Sequence, residues 1–279
     1  MQTILTNGVE VMADVTGAPE DPVVLLVAGT SCSMDFWRPE LCERIAATGR
    51  CVIRFDQRDT GEASHDPAGA PTYSLLDLLG DAIGLLDVLG HASAHWVGFS
   101  QGGWIAQLAA IHHPDRVASM TLVSTRPVGH GENDPDLPEV SPRVLDAFAV
   151  DEGPASDEPA AWIDYLVEWD RTLASDRAPF DAEASRAAAS DAVHRTLDLM
   201  AASSNHQIAS QGPPWRARLG EIDVSVTVLH GSDDLFFPPD NGRALAREIP
   251  GATFELVPDT GHELPARAWP PLLHAIARA

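Results

Sequence analysis

Short apolar runs, unbroken by polar residues, recur along the first half of the chain, and each is followed by a stretch with helical spacing. "VVLLVAG" (Val23 to Gly29) precedes "FWRPELCERIAAT", and "CVIRFD" (Cys51 to Asp56) precedes "SLLDLLGDAIGLLDVLG". "AHWVGFS" precedes "GGWIAQLAAIHH", and "ASMTLVST" (Ala118 to Thr125) closes the series. A strand exposed on one face alternates apolar and polar residues. A run without alternation belongs to a strand covered on both faces, which a parallel sheet flanked by helices provides. The pattern therefore predicts an α/β fold with a mostly parallel sheet and helices on both sides. "VEVMADV" (Val9 to Val15) alternates and reads as a strand ahead of the series. Ser74 and Asp77 form a capping pair for the helix that ends at Gly90.

The rhythm breaks between about Arg126 and Gly220, where strand character is lost. "AAWIDYLVEWDRTL" sets Trp162, Tyr165, Leu166 and Trp169 on one helical face, and a second helix is expected from Ala182 to Ala202. Loops rich in Pro, Gly and Asp ("RPVGHGENDPDLPEVSP" and "SQGPPW") bound this stretch. The strand–helix rhythm returns with "VSVTVLHG" (Val224 to Gly231), a helix near Asn241 to Glu248, "TFELVP" (Thr253 to Pro258) and a last helix from Trp269. Residues 1–125 and 221–279 are thus expected to form one core, with 126–220 as a helical insertion. The length of 279 residues and the 44% hydrophobic content suit a single domain carrying such an insertion.

Acidic residues number 41 against 18 basic ones, a formal net charge of -23. Nucleic acid is not expected as a partner, because phosphate binding needs clustered Lys and Arg. The three cysteines, Cys32, Cys42 and Cys51, lack CxxC spacing and cannot all pair, so neither a disulfide framework nor a zinc site is expected and a reducing cytoplasm fits. The start of the chain has no basic region ahead of an apolar one, so no signal peptide is expected. No run reaches the roughly 18 apolar residues of a membrane span.

The sharpest local feature is "HWVGFSQGGWIAQLAA" (His95 to Ala110), where Ser100 stands between Gly98 and Gly102 at a strand-to-helix junction. A polar turn would account for a serine there. So would a nucleophile elbow, in which Gly-x-Ser-x-Gly holds a hydroxyl above the carboxyl ends of the strands, and the strand and helix on either side favour it. A serine hydroxyl needs a base, and the base needs an orienting carboxylate, in the chain order Ser, Asp or Glu, His. His262, in "VPDTGHELP" after the last strand, is the candidate base. Asp233 and Asp234 in "LHGSDDLFFP" compete for the third role, with Asp234 favoured. The oxyanion formed in acyl transfer needs two backbone N–H donors. By position these are Gln101, after the serine, and Thr30, in the loop after the first buried strand.

These residues resemble those of the α/β-hydrolase superfamily over nearly the whole chain, through "LLVAGTSCSMDFW", "VIRFDQRDTGEAS", "VGFSQGGWIAQLAAIHHPDRVASMTLVST", "VTVLHGSDDLFFP" and "VPDTGHELP". "FDQRDTG", with Asp59 where many members carry Gly, and "HHPDRV" resemble the aclacinomycin methylesterase type of bacterial aromatic polyketide pathways. The resemblance implies an eight-stranded, mostly parallel sheet with one antiparallel pair at its start. It implies Ser100, Asp234 and His262 as a catalytic triad, Thr30 and Gln101 as oxyanion donors, and residues 126–220 as a lid. The chain departs from the common pattern at Ala28, where many members have His.

A serine at position 100 directs the chemistry to an acyl enzyme, whereas the epoxide hydrolases and haloalkane dehalogenases of this fold use Asp there. Trp162, Tyr165 and Trp169 either offer ring surfaces to a flat apolar substrate or pack the lid onto the core. The leading expectation is a carboxylic ester hydrolase acting on a bulky, partly aromatic small molecule, with a polyketide methyl ester as the substrate the resemblance suggests. No metal or organic cofactor is required, no membrane partner is expected, and a homodimer stays open. The competing readings are a carbon–carbon bond hydrolase of the meta-cleavage kind, a lactonase or perhydrolase, a pathway cyclase, and a ligand receptor without turnover.

Overall fold

The computed structural model describes residues 1–129, 134–151 and 153–279. Eight strands form one sheet in the order β1-β2-β4-β3-β5-β6-β7-β8. They are β1 (Gln2–Thr6), β2 (Val9–Thr16), β3 (Val23–Val27), β4 (Cys51–Phe55), β5 (Ala94–Phe99), β6 (Val117–Val123), β7 (Ser225–Gly231) and β8 (Thr253–Val257). β3 to β8 pair in parallel. β2 runs against both β1 and β4, so the expected antiparallel pair is two antiparallel ladders. The added strand, β1, returns into β2 through Asn7-Gly8, both at positive φ (46° and 81°). These are the backbone values a two-residue hairpin turn demands.

β3, β4 and β5 are buried at every position, as their unbroken apolar runs require. On one face lie α2 (Leu75–Val88), α3 (Gln101–His112) and α8 (Asp240–Glu248), packed on Leu25, Trp96 and Val228. On the other lie α1 (Pro39–Ala46) and α9 (Trp269–Ala277), packed on Leu26, Val97 and Leu229. Each such Leu or Val, fully withdrawn from water, contributes about 1.5–3 kcal/mol. Ser74 caps α2 as expected: its backbone N–H and its hydroxyl both donate to the Asp77 carboxylate, at 2.8 and 2.7 Å.

Between β6 and β7 the chain carries α4 (Pro142–Ala149), α5 (Pro159–Leu173), α6 (Ala182–Arg195) and α7 (Leu199–Ile208). The predicted loop 126–142 includes residues 130–133, which lie outside the described residues. The helix expected from Ala182 to Ala202 is two helices. The break falls at residues 196–198, where the Asp198 carboxylate accepts from the Ala201 N–H and starts α7 afresh. α4 is an addition, started by Ser141 as cap with Pro142 in the first turn.

The insertion is tied to the core by polar contacts as well as apolar ones. Arg195, at the end of α6, bonds the Asp35 and Asp56 carboxylates. Asp56 is fully buried and also accepts from the Met34 and Glu62 N–H groups. Asn205 on α7 accepts from the Gly69 N–H at 2.8 Å. The Leu173 carbonyl, at the end of α5, accepts from the His262 N–H at 2.9 Å.

Candidate active site

β5 ends in a conformation that few residues adopt. Ser100 has φ 52° and ψ -118°, a left-handed strain that costs about 1–3 kcal/mol and persists only when neighbours enforce it. Here the Ser100 N–H donates to the Val123 carbonyl at 3.0 Å, and the Thr125 hydroxyl donates to the Ser100 carbonyl at 2.7 Å. The flanking glycines are required by close approach. A Cβ on Gly98 would lie 2.3 Å from the Gly102 carbonyl oxygen, and one on Gly102 would lie 2.1 Å from the Val27 carbonyl oxygen. The turn is therefore a backbone-against-backbone contact, and any side chain at either glycine would open it.

The elbow presents Ser100 to a ring from a distant loop. The Ser100 hydroxyl lies 3.0 Å from His262 Nε2, and His262 Nδ1 lies 2.8 Å from Asp234 Oδ2. With Nδ1–H donating to the carboxylate, Nε2 is free to accept the serine proton. Asp234 Oδ1 accepts from the Phe236 and Phe237 N–H groups at 2.9 and 2.7 Å. Burial works to raise this carboxyl, but His262 and the nearby His230 outweigh it and hold Asp234 well below the usual carboxylate range. It is an anion at neutral pH. Asp233, the other candidate, points elsewhere: it accepts from the Ser175 hydroxyl at 2.6 Å and pairs with Arg177 at 3.2 Å.

Gln101 is the first residue of α3, so its N–H has no acceptor within the helix. Thr30 lies in the turn Gly29 to Cys32, closed by the Cys32 N–H on the Gly29 carbonyl at 3.2 Å. A Cβ on Gly29 would be 3.3 Å from the Ser100 Cβ, so this turn sits directly against the serine. At Ala28 the departure from the common His is met by a different residue. The Gln57 side-chain amide donates to the Ala28 carbonyl at 3.1 Å and steadies the base of the turn. Cys32, close by, stays a neutral thiol: burial, reinforced by the Asp170 charge, pushes it up to about 12.

Of the three aromatic residues expected along the insertion, only Trp169 reaches toward His262, through Phe148 and Phe236. Trp162 is 2% exposed and turned into the insertion's own apolar cluster, where its indole N–H donates to the Ser156 carbonyl. Tyr165 donates its hydroxyl to Asp151 at 2.8 Å. Trp169 packs against Phe148 of α4 at a tilt, with ring centres 4.5 Å apart, and Phe148 meets Phe236 at 5.9 Å. Phe236 in turn lies 4.9 Å from the His262 ring. On the other flank Phe99 is 5.0 Å from His262 and 4.5 Å from Phe36. Phe36, Phe99, Phe148 and Phe236 escaped the sequence reading, although "LFFP" beside Asp234 carries the relevant pair.

Asp59, where many relatives have Gly, has φ 64°. That explains the usual Gly, since the left-handed region penalises a Cβ. The carboxylate compensates by accepting from the Tyr73 hydroxyl and from the Asp66 N–H. Its role is in the shape of the loop.

Comparison with known proteins identifies the family. The family model for the alpha/beta hydrolase fold matches residues 22–265. The rhodomycin D methylesterase of Streptomyces sp. (strain C5) is 31% identical over 294 residues, covering 98% of this chain and 95% of that protein. The Streptomyces peucetius rhodomycin D methylesterase is 30% identical with the same coverage, in line with the methylesterase resemblance of "FDQRDTG" and "HHPDRV". Among solved structures, the enol-lactonase from Burkholderia xenovorans LB400 superposes with a TM-score of 0.75 at 24% identity, covering 99% of this chain and 98% of that one. In sequence, in strand order and in the strained turn at Ser100, the chain belongs to the α/β-hydrolase family.

Proposed function

We propose that this protein is a serine hydrolase that cleaves a carboxylic ester, with the methyl ester of a polyketide-like or aromatic small molecule as its substrate. The observation that carries the reading is the continuous hydrogen-bond chain from Ser100 through His262 to Asp234. Ser100 attacks the ester carbonyl as His262 takes its proton, and the N–H groups of Thr30 and Gln101 receive the oxyanion. Collapse expels the alcohol, which leaves with the proton returned by His262, and an acyl enzyme remains on Ser100. Water then repeats the sequence: His262 removes its proton, the hydroxyl adds to the acyl carbon, and the carboxylic acid departs as Ser100 is reprotonated.

Two features support an aromatic substrate. Phe99 and Phe236 border the His262 ring, Phe36 packs on Phe99, and Phe148 with Trp169 extends that surface onto the insertion. Flat rings recognise flat apolar groups by offset or edge contacts. The relatives from Streptomyces are named for a methylesterase activity on rhodomycin D. In this reading residues 1–125 and 221–279 are the catalytic core and 126–220 the lid. A cytoplasmic location is part of the proposal and draws on three unpaired thiols.

The test is Ser100→Ala assayed on 4-nitrophenyl esters and on aromatic methyl esters. A loss of kcat of at least about a thousandfold is expected. Activity surviving within about tenfold of the parent overturns the proposal, since loss of a triad member costs far more.

A further inference from the structure

We infer that His206, a residue of the insertion, is a positioning residue that fixes the oxyanion-binding turn of the core. The inference rests on the hydrolase reading above. His206 lies on α7, is completely buried, and reaches the turn that carries Thr30. Its Nδ1 accepts from the Ser31 N–H at 3.1 Å, and its Nε2–H donates to the Arg58 carbonyl at 2.7 Å. The two bonds select one tautomer and one ring orientation, and they bridge two loops of the core through a side chain of the insertion. The Tyr73 ring stands edge-on to the imidazole, with centres 6.1 Å apart. Burial pushes His206 down from its ordinary value, so the ring is neutral at pH 7 and Nδ1 keeps its lone pair.

The bond matters because of where Ser31 sits. Ser31 is a central residue of the Gly29 to Cys32 turn and has φ 64°, a conformation that a side chain disfavours. The Ser31 N–H belongs to the peptide unit that joins Thr30 to Ser31. Left without an acceptor, that unit can rotate and let the turn relax at the strained Ser31, and the four-residue turn that carries the Thr30 N–H loses its hold. With the N–H held by His206, rotation would leave a buried donor unpaired. Gln57 holds the base of the same turn through the Ala28 carbonyl, so the donor loop is fixed at both ends, once by the core and once by the insertion. The insertion thereby helps to build the oxyanion site as well as to cover it.

A pair of variants separates the two bonds of the ring. An Asn side chain places its oxygen near the position of Nδ1 and can still accept from Ser31. A Gln side chain places its amide near the position of Nε2, keeps the bond to Arg58 and loses the one to Ser31. The substrate is 4-nitrophenyl acetate, with active sites counted by a fluorophosphonate and Ser100→Ala run in parallel. His206→Gln is expected to lower kcat about ten- to a hundredfold with KM within about threefold of the parent, as loss of an oxyanion donor requires. His206→Asn is expected to recover kcat to within about threefold. A role in stability alone would lower the melting temperature of both and leave kcat per titrated site unchanged. If His206→Gln yields no folded protein, His206→Met, which fills the space without an acceptor, takes its place in the comparison. Parental kcat in the acceptor-less variant, or an equal loss in it and in His206→Asn, overturns the inference while the hydrolase reading stands. Activity persisting in Ser100→Ala overturns the hydrolase reading, and the inference with it.

Discussion

Asp234→Asn changes one atom, and the structure dictates how the new side chain must sit. Asp234 Oδ1 accepts from two backbone N–H groups, of Phe236 and Phe237, while Oδ2 faces His262 Nδ1 at 2.8 Å. Asparagine has one oxygen and one NH2. Placing the NH2 toward Phe236 and Phe237 would set donor against donor in a fully buried site and cost about 1–3 kcal/mol for each amide left unpaired. The oxygen therefore stays with the two amides, and the NH2 turns to His262. Its hydrogens force the imidazole to accept at Nδ1 and to carry its proton on Nε2, the atom that lies 3.0 Å from the Ser100 hydroxyl. A base that already holds its proton there cannot take another. The same tautomer error in a serine protease costs about 10⁴ in kcat, or about 5.4 kcal/mol of barrier, and that is the expected loss. The assay is kcat on a 4-nitrophenyl ester, with folding followed by circular dichroism. Asp233→Asn is the control, since Asp233 bonds Ser175 and Arg177 and leaves the ring alone. Its kcat should stay within about tenfold of the parent. The reasoning is refuted if folded Asp234→Asn keeps kcat within that range, or if Asp233→Asn loses as much.

Two further outcomes follow from buried polar groups. His95 bonds Ser119 and Thr121 inside the sheet, and burial pushes it down to about 3 from an ordinary 6.5. As pH falls below about 6.5 the unfolded chain takes up a proton that folded His95 refuses, so stability drops through the window between 6.5 and 3. Between pH 7 and pH 5 the loss is about 2 kcal/mol from this residue, and urea unfolding of the parent and of His95→Asn checks it: an undiminished acid loss in the variant refutes the assignment. Asp59→Gly relieves a left-handed backbone but removes the acceptor for the Tyr73 hydroxyl and the Asp66 N–H. A net destabilisation of about 2 kcal/mol is expected by chemical denaturation, and a more stable variant would show that the backbone strain had been the larger effect.

The parts of this molecule that could be read in advance are those whose signal is local. Strands buried on both faces announce themselves by unbroken apolar runs, and Ser100 by the glycines its turn demands. β1 carries little signal because five residues with two buried positions offer little pattern, although Asn7-Gly8 marks the hairpin. The break between α6 and α7 lacks Gly or Pro, and only the cap at Asp198 betrays it. Between Asp233 and Asp234 the sequence favours Asp234 by position alone, because neighbouring residues in a turn point in different directions and the loop bearing His262 decides between them. Phe236 and Phe237 pose the same difficulty. Nothing in the helical stretch around Arg195 or His206 marks them as anchors, since their partners lie about 140 to 175 residues away.

The bond from the Leu173 carbonyl to the His262 N–H joins main chain to main chain. No side chain of α5 takes part in it, so the helix can exchange its outward residues, Trp169 among them, while the support beneath the imidazole stays put. On the proposed hydrolase reading, substrate preference and catalytic competence are thereby written in different atoms of the same helix. A lineage of such proteins could change what it accepts by side-chain replacement alone, and a transplanted helix would keep the histidine in register wherever its last carbonyl arrives at the same point in space.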